Sequence, residues 1–248
     1  MVITHNSSRL KQILDESKHV VFFGGAGVST ESGIPDFRST NGLYNEEYDF
    51  PPEEIISRSF FNANTAEFYR FYRNKMLFLD AKPNSAHKLL AKLKIPVITQ
   101  NIDGLHQMGG SVDVYEVHGS IHENYCIKCG AFADLKMMVE LIDDANDYIP
   151  RCFALNCDGI LKPAVVLYEE PLNQSVWNAA QAQVERADTL IVGGTSLVVY
   201  PAASIVSYFF GKNLIFINKQ KQNVEKYKHF NILQINDKIG KVLTDIYS

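Results

Sequence analysis

Short apolar runs alternate with amphipathic stretches along this chain. The apolar runs predict strands at His19–Phe23, Pro96–Thr99, Val114–Val117, Ala164–Tyr168, Thr189–Val192, Leu214–Asn218 and Ile232–Ile235. The amphipathic stretches predict helices at Ser7–Ser17, Ala63–Leu79, Ser85–Leu93, Val176–Arg186, Ala202–Phe210 and Lys238–Ile246. Several runs are apolar at consecutive positions, which is typical of strands buried on both faces. The alternation therefore favours an α/β fold with a mainly parallel sheet.

Two stretches interrupt this alternation. Residues from about Asn41 to Leu79 are rich in aromatic side chains and helical in pattern, and residues from about Glu123 to Leu161 contain all four cysteines. Both stretches leave the α/β body and return to it. We therefore expect a discontinuous large domain and a smaller domain made of two modules. The large domain comprises residues 1–40, 80–122 and 162–248, the helical module 41–79 and the cysteine module 123–161.

Composition narrows the class of protein. With 46% hydrophobic and 21% charged residues, a packed core is expected. A net charge of -4 argues against a general nucleic-acid binder. The polar start lacks the pattern of a signal peptide, and the most apolar stretch, Val20–Val28, is too short to cross a bilayer. A cytoplasmic location is the resulting expectation, and there cysteines more often bind metal than form disulfides.

The four cysteines occur as two pairs. Two residues separate Cys126 from Cys129, four separate Cys152 from Cys157, and 22 residues lie between the pairs. Two thiolate pairs at such spacing suit one tetrahedral zinc ion, whereas four unrelated buried cysteines are the alternative. Because the protein would supply all four ligands, no position would stay open for a reacting water. The zinc would therefore be structural.

A glycine-rich turn follows the first predicted strand. Gly25 and Gly27 would let the backbone approach a pyrophosphate, whose charge a helix N-terminus favours. The usual dinucleotide fingerprint has a third glycine where this chain has Thr30. Taken alone, the turn is a weak signal, and a tight strand-to-helix turn without a ligand is the alternative.

His118 stands out among the seven histidines. It comes directly after the predicted strand Val114–Val117 and is followed by Gly119 and Ser120. Ligands bind at the carboxyl ends of strands in open α/β sheets, so a titratable group there is well placed for chemistry. A near-neutral pKa suits a general base. A hydrogen-bonded structural histidine is the alternative.

Four segments together resemble the signature motifs of the sirtuin (Sir2) family, bacterial-type NAD-dependent protein lysine deacylases. They are Gly25–Arg38 (GAGVSTESGIPDFR), Thr99–His106 (TQNIDGLH), Glu116–Ser120 (EVHGS) and Gly194–Leu197 (GTSL). They occur in the family's order and near its usual spacing, within a resemblance that runs from about Leu10 to Leu243. The resemblance implies a Rossmann-like, NAD-binding large domain, with the helical and zinc-binding modules forming the small domain. The family's second cysteine pair usually encloses two residues rather than four.

The resemblance also implies a reaction, the NAD-dependent deacetylation of protein N6-acetyl-lysine. The acyl oxygen of the modified lysine would attack C1′ of the nicotinamide ribose, and nicotinamide would leave. His118 would then help a ribose hydroxyl to attack the resulting imidate. Water would complete the release of free lysine and O-acetyl-ADP-ribose. The protein would chiefly hold the reacting atoms in line and exclude water.

The matched motifs imply roles for individual residues. His118 would be the catalytic base, and Asn101 would orient ribose or water. Ile102 and Asp103 would line the nicotinamide pocket, where the Asp103 carboxylate would accept a hydrogen bond from the carboxamide. The complete set implied to bind NAD is Gly25, Ala26, Gly27, Ser29, Thr30, Asp36, Phe37, Arg38, Gln100, Asn101, Ile102, Asp103, His118, Gly194, Thr195, Ser196, Asn218 and Asp237.

Sirtuins clamp an extended peptide between two chain segments by strand addition. The matching segments imply substrate contacts for Val166, Leu167, Tyr168, Leu197 and Val198. Most sirtuins have Phe-Gly-Glu where this chain has Tyr168-Glu169-Glu170. Two adjacent carboxylates would favour substrates with basic flanks, unless Glu169 points into solvent.

The acyl group is the remaining question of specificity. Sirtuins specialised for succinyl or malonyl groups carry a Tyr-x-x-Arg pair, whose arginine meets the extra carboxylate. Counting three residues from Tyr69 leads to Tyr72, while Arg70 and Arg73 are offset toward the expected solvated face. Acetyl is therefore the predicted group, with longer apolar acyl chains also open.

Other functions are open to a chain with these motifs. An NAD hydrolase or a protein ADP-ribosyltransferase would use the same nucleotide pocket, although His118 and the two peptide segments count against both. A non-catalytic NAD-sensing module is the alternative from another class of function. For Asp36 and Arg38, the alternative to NAD binding is a local ion pair that stabilises the loop. The expected partners are proteins or peptides with acetylated lysine, and the expected state is a monomer.

Overall fold

The computed structural model describes residues 5–36 and 49–247. Its strands are β1 (Val20–Gly24), β2 (Val97–Thr99), β3 (Val114–Glu116), β4 (Gly119–Cys126), β5 (Phe132–Asp134), β6 (Leu161–Val165), β7 (Thr189–Gly193), β8 (Asn213–Ile217) and β9 (Asn231–Ile235). Within the described residues, six strands form one sheet in the order β3–β2–β1–β7–β8–β9, and every neighbouring pair is parallel. This sheet confirms the predicted α/β class.

The helices cover the sheet or belong to the inserted modules. They are α1 (His5–Glu16), α2 (Pro52–Ile55), α3 (Arg58–Ala63), α4 (Thr65–Phe71), α5 (Ser85–Lys92), α6 (Leu105–Met108), α7 (Leu135–Asp143), α8 (Gln174–Arg186) and α9 (Ile239–Tyr247). Segments Ala26–Ser32, Ala202–Tyr208 and Glu225–Tyr227 are 3₁₀ helices, and Tyr72–Met76 is a π-helical turn. The single helix predicted for 63–79 is wrong: Asn64 leaves helical geometry with φ -131° and ψ 51°, which separates α3 from α4.

Both faces of the parallel sheet are buried, as consecutive apolar strand residues predict. Phe22 points to one face, where it packs in a core with Leu10 and Leu90 from the helices. Phe23 points to the opposite face, into a core that contains Val184 of α8 and Ile205. Successive side chains of a strand alternate between faces, so the run from Val20 serves two cores at once.

A second sheet is antiparallel, with strand order β5–β4–β6. The strand predicted at Ala164–Tyr168 begins and ends three residues earlier, as β6 (Leu161–Val165), and it pairs antiparallel with β4 instead of joining the parallel sheet. Gly119 makes this pairing possible. Its φ is +79°, and a Cβ at this position would lie 1.8 Å from the Ala164 carbonyl oxygen. Only glycine allows the chain to leave β3 and approach β6 so closely.

The helical and cysteine modules share a third apolar core. Ile55 and Phe68 from the helical module pack with Met138 and Leu161 from the cysteine module. The two insertions therefore form one packed body beside the parallel sheet. No helix among residues 5–36 and 49–247 combines the length and apolar character needed to span a membrane.

The strand order defines where a ligand would bind. From β1 the chain adds β2 and β3 on one side, and β7, β8 and β9 lie on the other. The switch point therefore lies between β1 and β7, and crevices form at the carboxyl ends of strands at such a point.

Candidate active site

A cavity of about 840 Å³ opens at the carboxyl ends of these strands and extends to the small body. Most of the residues predicted to bind NAD or substrate line it: Ala26, Gly27, Ser29, Asp36, Gln100, Asn101, Ile102, Asp103, His118, Val166, Leu167, Tyr168, Gly194, Thr195, Ser196, Leu197 and Asn218. Segments far apart in the sequence are thus brought to one site. Its size falls within the range of cofactor pockets.

Some predicted residues lie elsewhere. Gly25, Thr30, Val198 and Asp237 are not among the residues that line this cavity. The Asp237 carboxylate forms an ion pair with Lys241, while Val198 is 56% exposed. The predicted positions Phe37 and Arg38 lie outside the described residues.

The glycine turn after β1 packs directly against the turn after β7. The Gly25 and Gly27 amides donate to the carbonyls of Gly193 and Gly194 at 3.3 and 2.9 Å. A Cβ at position 27 would lie 2.7 Å from the Gly194 Cα. These glycines are therefore required by backbone approach across the switch point, whether or not a ligand is bound. Thr30, which replaces the third fingerprint glycine, donates its hydroxyl to the Gly27 carbonyl at 3.0 Å.

Side-chain hydrogen bonds to Gln100, Asn101 and Asp103 organise the loop after β2. The Thr195 hydroxyl donates to Gln100 Oε1 at 2.7 Å. Asn101 Nδ2 donates to Ser29 Oγ at 3.0 Å, and Ser29 Oγ donates to Asp103 Oδ2 at 2.6 Å. The first and second sirtuin-like motifs are thereby tied together, with the Asp103 carboxylate at the cavity wall.

His118 lies in the same wall with a defined tautomer. Its Nδ1 is 3.1 Å from the Gln100 carbonyl oxygen. A carbonyl only accepts, so Nδ1 carries the proton and Nε2 keeps its lone pair. Burial lowers the pKa of His118, and the hydrogen bond with the Gln100 backbone offsets part of that shift. The neutral imidazole is therefore favoured, as a proton acceptor requires.

The segment predicted to bind peptide is anchored to the helical module. The Tyr168 amide donates to the Ile56 carbonyl, and the Arg58 amide donates to the Tyr168 carbonyl, both at 3.0 Å. Glu169 follows with φ +72°, the left-handed region that glycine adopts without cost. Its carboxylate accepts hydrogen bonds from the Ser59 amide and hydroxyl, each at 2.9 Å.

Glu170 is also engaged within the protein. Its Oε2 accepts from Lys162 Nζ at 3.1 Å and from the Leu167 amide at 2.9 Å. Both carboxylates of the Tyr-Glu-Glu sequence thus have protein partners. The expectation that they favour basic flanks on the substrate is not supported by this geometry, and neither is the view that Glu169 only points into solvent.

The two tyrosines of the acyl-group prediction are buried in the core of the small body. The Tyr69 hydroxyl donates to the Leu161 carbonyl, whereas the fully buried Tyr72 hydroxyl has no hydrogen-bond partner among the described residues. Neither tyrosine lines the cavity. Arg70 pairs with Glu67 at the surface, and Arg73 pairs with Asp143 at 2.7 and 2.9 Å. Neither arginine lines the cavity, whereas Lys75 does.

Other lining residues were not singled out from the sequence. They include His122, together with Met76, Phe78 and Leu135 from the small body. The apolar members come from segments whose helical pattern predicts only burial. Their position at the cavity depends on how the small body packs beside the sheet, which no local pattern specifies.

The four cysteines converge on one point. Their sulfurs all lie within 4.8 Å of one another, with Cys126–Cys157 at 3.7 Å and Cys129–Cys152 at 3.6 Å. A tetrahedral zinc with bonds of about 2.3 Å requires sulfur–sulfur distances of about 3.8 Å. The widened Cys152–Cys157 loop closes because the Cys157 amide donates to the Ala154 carbonyl at 3.1 Å. The cluster fits a structural zinc site, and none of its cysteines lines the cavity.

A parallel sheet with a glycine turn at its switch point, a histidine-bearing cavity and a four-cysteine module together define a Rossmann-like, zinc-binding class of enzyme. The family model described as the Sir2 family matches residues 25–201. The chain therefore belongs to the Sir2 family.

Individual relatives extend this likeness over nearly the whole chain. An NAD-dependent protein deacetylase of Clostridium perfringens is 51% identical over 95% of this chain and 96% of its own length. A solved structure of a Sir2 variant with deacetylated p53 peptide and 3′-O-acetyl-ADP-ribose has a TM-score of 0.85 and 34% identity, covering 96% of both chains. A complex of Sir2, p53 peptide and NAD+ has a TM-score of 0.82 and 34% identity, covering 96% of this chain and 95% of that one.

Proposed function

We propose that this protein is an NAD-dependent protein deacetylase, which converts N6-acetyl-lysine and NAD to free lysine, nicotinamide and O-acetyl-ADP-ribose. The observation that carries the proposal is His118, a half-buried histidine in the wall of the cavity whose Nδ1 proton is held by the Gln100 carbonyl, so that Nε2 carries the lone pair. The activity named for the Clostridium perfringens relative, and the peptide and dinucleotide complexes of the Sir2 structures, support the same reaction.

The residues around the cavity suit NAD. When bound, NAD supplies a ribose carbon whose nicotinamide departs as a neutral leaving group. The close glycine turns leave backbone room at the switch point, and Gln100, Thr195 and Asn218 offer polar groups there. The Asp103 carboxylate suits a carboxamide donor, so the nicotinamide end belongs beside Asp103 and the adenosine end beside the carboxyl end of β8.

His118 acts as the general base. Its proton on Nδ1 is held by the Gln100 carbonyl, which leaves Nε2 to accept a proton from a ribose hydroxyl. Asn101 orients a ribose hydroxyl or a water molecule, and its own orientation is fixed by the bond to Ser29. Bound NAD and peptide would displace water from the cavity, which would limit simple hydrolysis of NAD.

Acetylated lysine enters between two segments of the cavity wall. One segment contains Val166, Leu167 and Tyr168, and the other contains Leu197 and Val198. Addition of an extended peptide between them supplies affinity through the backbone, so little is demanded of the peptide sequence. The backbone of Tyr168 is hydrogen-bonded to the backbone of Ile56 and Arg58, which supports a preformed strand edge for the peptide.

Several features of the whole protein belong to this proposal. The parallel-sheet domain (1–40, 80–122, 162–248) binds NAD, and the helical module (41–79) and zinc module (123–161) form the small domain. A shared apolar core of the two modules supports this division. A monomer in the cytoplasm completes the proposal, with zinc stabilising the small domain rather than reacting.

Mass spectrometry of the reaction tests the function. The purified protein is incubated with an acetylated peptide, with and without NAD. Deacetylated peptide and O-acetyl-ADP-ribose should form in equal amounts and only when NAD is present. ADP-ribose without deacetylated peptide would indicate an NAD hydrolase instead, and a peptide gaining the mass of ADP-ribose would indicate a transferase.

A further inference from the structure

The segment that carries His118 runs alongside the loop after β2. The Val117 amide donates to the Thr99 carbonyl, and the Ile121 amide donates to the Ile102 carbonyl, both at 3.0 Å. Backbone amides therefore hold the carbonyls of Thr99, the last residue of β2, and of Ile102 in the loop. The carbonyls of Gln100 and Asp103 in the same loop are contacted by side chains instead.

Two histidines take those two carbonyls. His118 Nδ1 lies 3.1 Å from the Gln100 carbonyl oxygen, and His122 Nε2 lies 3.2 Å from the Asp103 carbonyl oxygen. Since the carbonyl only accepts, His122 Nε2 carries the proton. His122 also lines the cavity, although its position was not marked by the sequence pattern.

The His122 ring fits a turn that only glycine allows. Gly104 has φ +69°, and a Cβ there would lie 2.4 Å from His122 Nε2. The ring thus packs against the bare Cα and closes the turn that begins α6. In the same turn the Leu105 amide donates to Asp103 Oδ1 at 3.0 Å, while Ser29 donates to Oδ2 at 2.6 Å. The backbone carbonyl and the carboxylate of Asp103 are therefore held by different partners.

We propose that His122 is a positioning residue for the nicotinamide end of the site, acting through Asp103. The inference rests on the proposed function, in which the Asp103 carboxylate accepts from the carboxamide. Without the His122 ring, the turn at Gly104 loses its packing contact and the Asp103 carbonyl loses its hydrogen-bond donor. The carboxylate then spends less time in the orientation that binds the carboxamide. This lowers the affinity for ligands that contain nicotinamide and leaves the affinity for ligands without it unchanged.

Isothermal titration of NAD and of ADP-ribose tests this directly, because the two ligands differ by the nicotinamide. His122→Ala should weaken NAD binding about tenfold, the value of one well-placed hydrogen bond in a partly buried site, and leave ADP-ribose within about twofold of the unmodified protein. His19→Ala is the matched control. That half-buried histidine bonds to Gln183 at 3.2 Å and does not line the cavity, so both affinities should stay unchanged.

A second variant separates positioning from general damage to the fold. Gly104→Ala should weaken NAD more than ADP-ribose, and much of its additional effect should vanish in the His122→Ala background, because the atom that the new Cβ meets is gone. Equal weakening of both ligands by His122→Ala, or unchanged NAD binding, would overturn the inference. An unmodified protein that binds neither ligand would overturn the proposed function instead.

Discussion

His118 and Gln100 are joined by a 3.1 Å contact between a ring nitrogen and a backbone carbonyl. The contact fixes which nitrogen of His118 carries the proton, because the carbonyl has none to donate. The bond also sets the direction of the ring, so Nε2 is the nitrogen left for chemistry. A backbone group performs the orienting role that a carboxylate performs in other histidine-based sites.

The pH dependence of kcat/KM should show this environment. Burial lowers the pKa of His118, so its neutral form should persist below the ordinary histidine value of about 6.5. Below the lowered pKa the imidazolium no longer accepts a proton and the rate falls. A pH–rate profile should therefore have its acid inflection below about 6.5.

Glu116 supplies the control for that profile. Burial raises the pKa of its carboxyl to about 7, close enough to produce an inflection of its own. An inflection near neutrality that disappears in Glu116→Gln belongs to the carboxyl. An inflection at or above about 6.5 that survives in Glu116→Gln would contradict the assignment of a lowered His118 pKa.

The parallel sheet could be predicted because its strands are apolar at consecutive positions. Phe22 and Phe23 serve opposite cores, and such runs are recognisable without tertiary information. The antiparallel sheet could not be predicted because β4 (Gly119–Cys126) has no apolar run: most of its residues are polar, and its buried positions include Ser120 and Asn124. Its pairing with β6 depends on the close approach at Gly119, which is a tertiary contact.

The candidate site likewise contains residues that the sequence identifies and residues that only tertiary contacts bring to it. Residues within the four motifs, such as Asp103 and His118, are recognised from their order in the sequence and meet at the cavity. His122 lies just beyond a motif, and its contact with Asp103 arises from two segments lying side by side. Tyr72 occupies the position that aligns with the arginine of succinyl-specific sirtuins, but it is buried away from the cavity. Helical spacing identifies a buried residue without indicating which core contains it.

Loss of a zinc ligand should destabilise the small domain. Cys129→Ser should abolish stoichiometric zinc and lower the thermal unfolding midpoint, because metal binding contributes directly to folding. Phe153→Ser, in the neighbouring loop and 51% exposed before substitution, is the control and should keep both properties. Plasma mass spectrometry for metal and a thermal melt measure the two effects. Purified protein that contains no zinc after metal-replete expression would refute the site.

Glu169 should be replaced by glycine more easily than by alanine. Both changes remove the two hydrogen bonds from Ser59, but alanine also keeps the cost of a left-handed φ, about 1 kcal/mol. Urea unfolding should therefore rank Glu169→Ala about 1 kcal/mol below Glu169→Gly in free energy of unfolding. Equal stability of the two variants would mean that φ at this position is not left-handed in solution.

Acetylated peptide should be processed at least about 100-fold more efficiently than its succinylated counterpart, because an unpaired carboxylate in a covered site costs several kcal/mol. Arg70 and Arg73 are paired elsewhere and do not line the cavity. Comparing kcat/KM for the two peptides measures the preference. Comparable turnover of the two peptides would contradict the prediction. If Lys75→Met then lost activity on the succinylated peptide alone, Lys75 would be identified as the partner of the carboxylate.

Tyr72→Arg, by contrast, should not create a succinyl site. The position is fully buried and away from the cavity, so the substitution would bury a charge in the core of the small body. A lowered thermal midpoint is the expected result.

The most direct measurement is the activity of His118→Ala together with its affinity for NAD. With acetylated peptide and NAD, the variant should lose deacetylation by about 100-fold or more, because it lacks the group that accepts the proton. Its NAD dissociation constant should stay within about threefold of the unmodified protein, which shows that the fold and the nucleotide site are intact. A His118→Ala protein that binds NAD and retains more than about a tenth of the activity would contradict His118 as the base.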